Sequence, residues 1–177
     1  MNRIGDWTQT FTGNRFYPFD PRPEDISIED IAHHLAMICR FGGACRAFYS
    51  VAQHSVFVSD ECPTKDALWG LLHDAAEAYV GDMVRPIKRL ASMDLYREAE
   101  DRILGMIAAR FGLSWPMPES VRRADEVLLA TEARDVMGGQ CAGRWSLQYE
   151  PKAMIIHPWD PRVAEEVFLH RFKELTG

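Results

Sequence analysis

The sequence is short of cysteine, of positive charge and of long apolar runs, and each shortage removes a class of protein. Four cysteines occur in 177 residues, at Cys39, Cys45, Cys62 and Cys141, and no two form a C-x-x-C pair. A chain of this length can fold on its hydrophobic core without staples. A disulfide framework is therefore not expected, and the thiols read as reduced, in a cytoplasmic setting. Acidic residues outnumber basic ones, 26 to 20, for a formal net charge of −6. That balance argues against a binder of duplex nucleic acid, which needs a basic face to neutralise phosphates. No run approaches the roughly 18 consecutive apolar residues of a membrane span. The opening Met1-Asn2-Arg3-Ile4-Gly5-Asp6-Trp7 also lacks the apolar centre of a signal peptide.

Hydrophobic residues make up 47% of the chain and are spread along all of it, which predicts one compact domain. Residues 1–26 are rich in aromatics, Gly and Pro, with a turn signal at Gly13-Asn14 between short aromatic runs. They predict a hairpin or arm packed on the rest, with Trp7, Phe11, Phe16 and Tyr17 as its apolar anchors rather than a lid. From Ser27 the period is helical. Ser27 and Asp30 suit a capped start, and Ile28, Ile31, Ala32, Leu35 and Cys39 mark an apolar face that ends at Gly42-Gly43. Further helices are expected over Tyr49–Ser59, from Pro63-Thr64 to Tyr79, from Arg85-Pro86, over Ser92–Arg110 (apolar at Leu95, Ala99, Ile103, Met106 and Ile107), Ser120–Met137 and Pro161–Leu175 (apolar at Val163, Val167, Phe168 and Phe172). Gly138 to Trp159 reads as irregular. The expectation is an all-α fold, with residues 27–177 as its single domain.

Chemistry concentrates at His73-Asp74-Ala75-Ala76-Glu77, directly after Leu71 and Leu72. Ionisable groups on a buried helix are costly unless paired or bound to a metal. Glu77 lies four residues after His73 and three after Asp74, so the three share adjoining parts of one helical surface. His54 stands among Val51, Ser55 and Val58 on what reads as a core face. Asp125, three and four residues before Leu128 and Leu129, sits at the edge of a buried stripe. Each alone is more often a satisfied core histidine or a surface acid. Together they offer two imidazoles and two carboxylates from three helices, a donor set for Mn, Co, Fe, Ni, Zn or Mg rather than for a thiolate zinc site.

The order His54, His73-Asp74, Asp125 resembles the H…HD…D signature of the HD-domain metal-dependent phosphohydrolases, and within them the small 5′-deoxynucleotidases and phage dNTP phosphohydrolases. Glu77, Gly81, Asp82, Pro86 and Lys88 after the His-Asp pair, and Ala52-Gln53-His54-Ser55 upstream, extend the resemblance over about residues 27 to 137. It implies an HD-domain helical bundle in which His54, His73, Asp74 and Asp125 ligate one divalent metal ion. Glu77 would be the catalytic acid/base, and Asp82 would face the 3′-hydroxyl of the sugar. Arg40-Phe41 lies upstream of His54 as an Arg-Trp pair does in those enzymes. Arg40 would contact phosphate or exclude a 2′-hydroxyl, and Phe41 would wall the base. Phe stands here where the family pattern has Trp. Lys88 is equally a phosphate contact or a solvated helix lysine.

The implied partner is a small nucleotide, with no duplex nucleic acid and no membrane, and the compact apolar faces are compatible with a homo-oligomer. The implied reaction is removal of the 5′-phosphate from a 2′-deoxynucleoside monophosphate. An alternative is release of tripolyphosphate from a dNTP, dATP in the best-known case, for which Arg40, Arg46, Arg85, Lys88 and Arg89 would supply charge. The rival from another class is a metal-bound nucleotide sensor without catalysis, which would be expected to have lost Glu77. In the His33-His34 doublet at most one ring can face a cleft. His157, His170 and Arg122-Arg123 read as surface residues.

Overall fold

A computed structural model describes residues 3–138 and 145–177. The sequence features at Gly139, Cys141 and Gly143 lie outside the described residues. At the centre is a helix enclosed on nearly every side, α2 (Val51–Glu61). It buries Val51, Ala52, Val56 and Val58 together with the polar Gln53, His54, Ser55 and Ser59. Around it pack α1 (Ile28–Met37), α3 (Ala67–Leu72), α7 (Glu119–Asp135) and α8 (Pro161–Thr176). The shared core includes Ile31, Leu35, Leu71, Leu72, Leu128 and Phe168. α4 (Glu77–Val80), α5 (Arg85–Lys88) and α6 (Asp94–Phe111) complete a mostly helical architecture. Among the described residues no helix is long and apolar enough to cross a membrane.

Caps set the starts. Ser27 accepts the Asp30 amide at 3.3 Å and Ser50 accepts the Gln53 amide at 3.1 Å, so α2 begins at Val51 rather than at Tyr49. α1 stops at Met37, well before Gly42-Gly43. Beyond it the Arg40 amide donates to the Tyr49 carbonyl (2.9 Å) and the Val51 amide to the Ile38 carbonyl (3.0 Å). Cross-chain pairing there competes successfully with helix continuation, and it takes Cys39 off the expected apolar face. Gly70 brings α3 against α2, since a Cβ there would lie 2.9 Å from the Ser59 Cα. Leu95 and Val163 are exposed, because the first turns of α6 and α8 project past the core that Ile103, Ile107, Ala164 and Phe168 fill.

The N-terminal arm is a hairpin, β1 (Thr8–Gln9) antiparallel to β2 (Arg15–Phe16). Phe16 is fully buried and stacks on Tyr79 at 3.9 Å between ring centroids. Burying such a ring contributes about 2–3 kcal/mol. The buried Asp30 carboxylate accepts the Thr12 amide (2.7 Å) and hydroxyl (3.0 Å). His34 donates from Nδ1 to the Ala78 carbonyl (2.5 Å) and accepts the Phe11 amide on Nε2 (3.0 Å), so the hairpin is tied to α4. Phe11 stacks on His33, while Trp7 and Tyr17 lie against Arg15 and Arg3. Phe16 and Phe11 thus fasten the arm to the helices, whereas Trp7 and Tyr17 stack on arginines of the arm itself.

Residues 145–160, ahead of α8, are irregular but held. Arg134 donates to the carbonyls of Lys152 (2.7 Å) and Met154 (2.5 Å), and Asp135 accepts the Ile156 amide (2.8 Å). Gln53 on α2 donates to the His157 carbonyl and accepts the Trp159 amide, both at 2.8 Å. These bonds satisfy backbone groups that a strand or helix would otherwise pair.

Candidate metal centre and its cleft

The run from Leu72 to Ala78 is not continuous α-helix. Ala75, Glu77 and Ala78 each donate to the carbonyl three residues back, and the His73 ring bonds to the Gly70 carbonyl at 2.8 Å. The expected single helix from Pro63 to Tyr79 is therefore two short ones joined by a tight turn that carries His73 and Asp74. Through this tight turn His73 and Asp74 both come within reach of His54 on α2.

His54 and His73 meet there with Nε2 atoms 3.2 Å apart. Each ring has an oxygen acceptor behind it, Glu132 Oε1 at 2.6 Å from His54 Nδ1 and the Gly70 carbonyl at 2.8 Å from His73 Nδ1. Both Nδ1 atoms are therefore donors, and both Nε2 atoms converge on one point. Asp74 Oδ2 lies 3.2 Å from His73 Nε2 and 3.6 Å from His54 Nε2, and Asp125 Oδ1 lies 3.3 Å from His54 Nε2. His54, His73 and Asp74 each place one ligand atom within 4.8 Å of the others, a group that could hold a metal ion. With neutral imidazoles, Arg40 supplies one positive charge against the three negative charges of Asp74, Asp125 and Glu132. A divalent cation offsets that excess, and mixed N/O donors suit such an ion.

The electrostatics follow from this crowding. Burial and Arg40 would lower His54, but Glu132 and Asp125 outweigh them and push it up to about 9, so a metal ion would displace the Nε2 proton of the metal-free ring. Burial would raise Asp125, yet its hydrogen bond to His54 and the His73 ring hold it down to about 2. Asp74 is likewise held below the carboxylate range, with burial overcome by His73, His54 and Arg40. Glu77 goes the other way. It is raised well above its ordinary value by burial, then by Asp74 and Asp82, and its Oε2 is buried with no partner among the described residues.

The cluster borders a cavity of about 890 Å³ lined by Arg40, Asp74, Glu77, Asp82, Lys88 and Asp125 at its polar end. Arg40 reaches Asp74 Oδ2 at 3.4 Å and Glu132 Oε2 at 3.0 Å. Lys88 pairs with Glu100 at 2.5 Å. The same cavity is lined by Phe41 and Trp145, with ring centroids 5.9 Å apart, and by Leu129 and Met137. Phe41 holds a left-handed backbone (φ 56°), unusual for a non-glycine residue, and its ring lies 5.1 Å from the Arg40 guanidinium carbon.

All nine residues expected at the site thus lie at it: His54, His73, Asp74 and Asp125 in the cluster, and Arg40, Phe41, Glu77, Asp82 and Lys88 around the cavity. His33 instead pairs with Glu165 (3.0 Å), His170 with Glu174 (3.2 Å), and Arg46 with the Gly138 carbonyl (3.0 Å). Two residues went unread in the sequence. Glu132 carried a signal, lying seven residues after Asp125 on the same face of α7. Trp145 lies in an irregular segment, where no periodicity announces what a side chain faces.

No protein-family model matches the chain. Over 171 residues it is 39% identical to the uncharacterised protein YfdR of Escherichia coli strain K12, covering 95% of this chain and 94% of that one. The chain belongs to the YfdR family. Over 145 residues it is also 37% identical to an uncharacterised protein of Rhodobacter capsulatus, covering 75% of this chain and 74% of the other. Membership in the YfdR family brings no named activity with it, so the chemistry must be argued from the cleft.

Proposed function

We propose that the protein is a metal-dependent phosphohydrolase of the HD-domain type. Its substrates would be small deoxynucleotides, from which it removes the 5′-phosphate of a 2′-deoxynucleoside monophosphate. The observation that carries this reading is the convergence of two histidine Nε2 atoms and two carboxylates beside a nucleotide-sized cavity. Held by His54, His73, Asp74 and Asp125, a divalent ion would supply Lewis acidity toward a phosphoryl oxygen and lower the pKa of water at the site.

The chain's own groups divide the remaining work. Arg40 and Lys88 face the polar end, where fixed cations stabilise charge on a transferring phosphoryl group. Glu77 is buried beside Asp74 and Asp82, which favours its protonated form, so it has a proton to give the leaving 5′-oxygen. Asp82 offers a carboxylate to a sugar hydroxyl. Phe41 and Trp145 give the base two apolar faces.

Arg40, Arg85, Lys88 and Arg89 together line the cavity, and that favours a second reading as a dNTP triphosphohydrolase. The presence of Glu77 at the cavity argues against a non-catalytic sensor. The deciding experiment offers dAMP, AMP and dATP in parallel to protein stripped of metal and refilled with Mn²⁺ or Co²⁺. Orthophosphate from dAMP but not AMP is the expected result. Tripolyphosphate from dATP would move the protein to the second reading, and no turnover of any of them with metal bound would refute both.

A further inference from the structure

We propose that Glu132 is a positioning residue that joins the metal-ligating ring of His54 to the Arg40 guanidinium. The inference rests on the metal-centre reading given above. Asp125 and Glu132 stand seven residues apart on α7, close to two full turns, so one helix face presents both carboxylates to the same imidazole. Asp125 Oδ1 meets Nε2 at 3.3 Å and Glu132 Oε1 meets Nδ1 at 2.6 Å. Glu132 holds the ring at Nδ1, and a flipped ring would lose that bond and turn Nε2 away from Asp125.

The other Glu132 oxygen accepts Arg40 Nη2 at 3.0 Å, and Arg40 Nη1 reaches Asp74 Oδ2 at 3.4 Å. Asp74 in turn lies 3.6 Å from His54 Nε2, so Glu132, His54, Asp74 and Arg40 form a closed ring of contacts. The Tyr49 hydroxyl donates to Oε1 at 2.9 Å and fills the remaining place. Glu132 is fully buried. A carboxylate without solvent is tolerated only where donors surround it, and of its three donors His54 belongs to the candidate metal cluster and Arg40 lines the cavity. It fixes Nδ1 of His54 as the protonated nitrogen, leaving Nε2 as the ligand atom, and it strengthens that nitrogen as a donor to metal. Through the second oxygen it sets where Arg40 points.

The test compares wild type, Glu132→Gln and Glu132→Ala, with folding checked by circular dichroism. Co²⁺ affinity is measured by chelator competition, together with the visible spectrum of the bound ion. Glu132→Gln keeps the shape and an acceptor for Nδ1–H but loses the charge. Its Co²⁺ affinity should fall by roughly tenfold and its spectrum should shift, while Glu132→Ala approaches a hundredfold. Where nucleotide turnover is present, Glu132→Gln should also raise KM through Arg40. Folded variants with wild-type Co²⁺ affinity and spectrum would overturn the assignment. Should Glu132→Ala fail to fold, Glu132→Gln alone decides. Wild-type protein that binds Co²⁺ without hydrolysing nucleotides defeats the phosphohydrolase reading and leaves this one standing on affinity. Wild-type protein that binds no Co²⁺ defeats both.

Discussion

Glu77→Gln separates a catalytic carboxyl from a structural one by the sign of its effect on stability. Glu77 is 7% exposed, and its Oε2 has no hydrogen-bond partner among the described residues. Burial first, then Asp74 and Asp82, hold its folded-state pKa well above the ordinary 4.5. Between the unfolded and folded values the native state keeps a proton that the unfolded chain has released. Stability therefore falls as pH rises through that window and stays reduced above it. An amide cannot ionise, so the variant escapes the loss. Each unit of elevation corresponds to about 1.4 kcal/mol, or roughly 3–6 °C in Tm for a chain of this size. The assay is thermal unfolding of the two metal-stripped proteins from pH 4 to pH 8, alongside turnover after metal is restored. The Tm difference should grow in favour of Glu77→Gln as pH rises, while turnover drops by about 10²- to 10⁴-fold. Parallel melting curves across the range, or full turnover in the metal-replete variant, would refute the reasoning.

Three further outcomes follow from the same geometry. Mn²⁺ or Co²⁺ at a hundred times its Kd should stabilise the wild type by about 2.7 kcal/mol, roughly 5–11 °C in Tm, and His73→Ala should abolish the shift. Trp145→Ala removes one of the two aromatic walls and should raise KM for a deoxynucleotide by roughly 5- to 150-fold, the range of one lost base–aromatic stack, with metal affinity unchanged. Asp135 is held below its ordinary 3.8 by its hydrogen bond from Arg134, against burial and with help from the Ile156 amide. Its contribution is present above the unfolded value and lost as pH falls through the folded one. Hydrogen-exchange protection at Ile156 should thus survive to about pH 4 and collapse below it, whereas Asp135→Ala, with no acceptor, should lack it at neutral pH.

What could be read from the sequence was what periodicity and side-chain chemistry encode locally. The apolar stripes of α1, α6 and α8 were visible because their burial repeats every three to four residues, and the cap at Ser27 follows from hydroxyl chemistry. The site residues were legible because ionisable groups beside Leu71 and Leu72 demand an explanation. Two things were not legible. The end of α1 is decided by pairing between Ile38–Arg40 and Tyr49–Val51, a tertiary choice without a local breaker at Met37. The break at His73 arises because its own ring takes the Gly70 carbonyl, which helix propensity does not weigh.

The distribution of these groups over the fold partly separates what must be rigid from what must adjust, His73 and Asp74 on the tight turn between α3 and α4 being the exceptions. His54 sits on the enclosed α2, and Asp125 and Glu132 on the 17-residue α7. Glu77 and Asp82 lie on or just beyond the four-residue α4, and Arg40 and Phe41 on the loop between α1 and α2. Metal ligation tolerates only small displacements, whereas groups that follow a substrate gain from short, less protected segments. Gln53 tests this division, because it adjoins His54 in sequence but spends its side chain on the His157 carbonyl and the Trp159 amide. Gln53→Ala removes two buried bonds and should cost about 1–3 kcal/mol of stability. Since α1, α3, α7 and α8 still enclose α2, the His54 ring should stay in place and Co²⁺ affinity should remain within about threefold of wild type, a loss under about 0.7 kcal/mol. A fall in affinity that tracks the lost stability would mean that the C-terminal segment, not the helical packing, fixes the ligand helix.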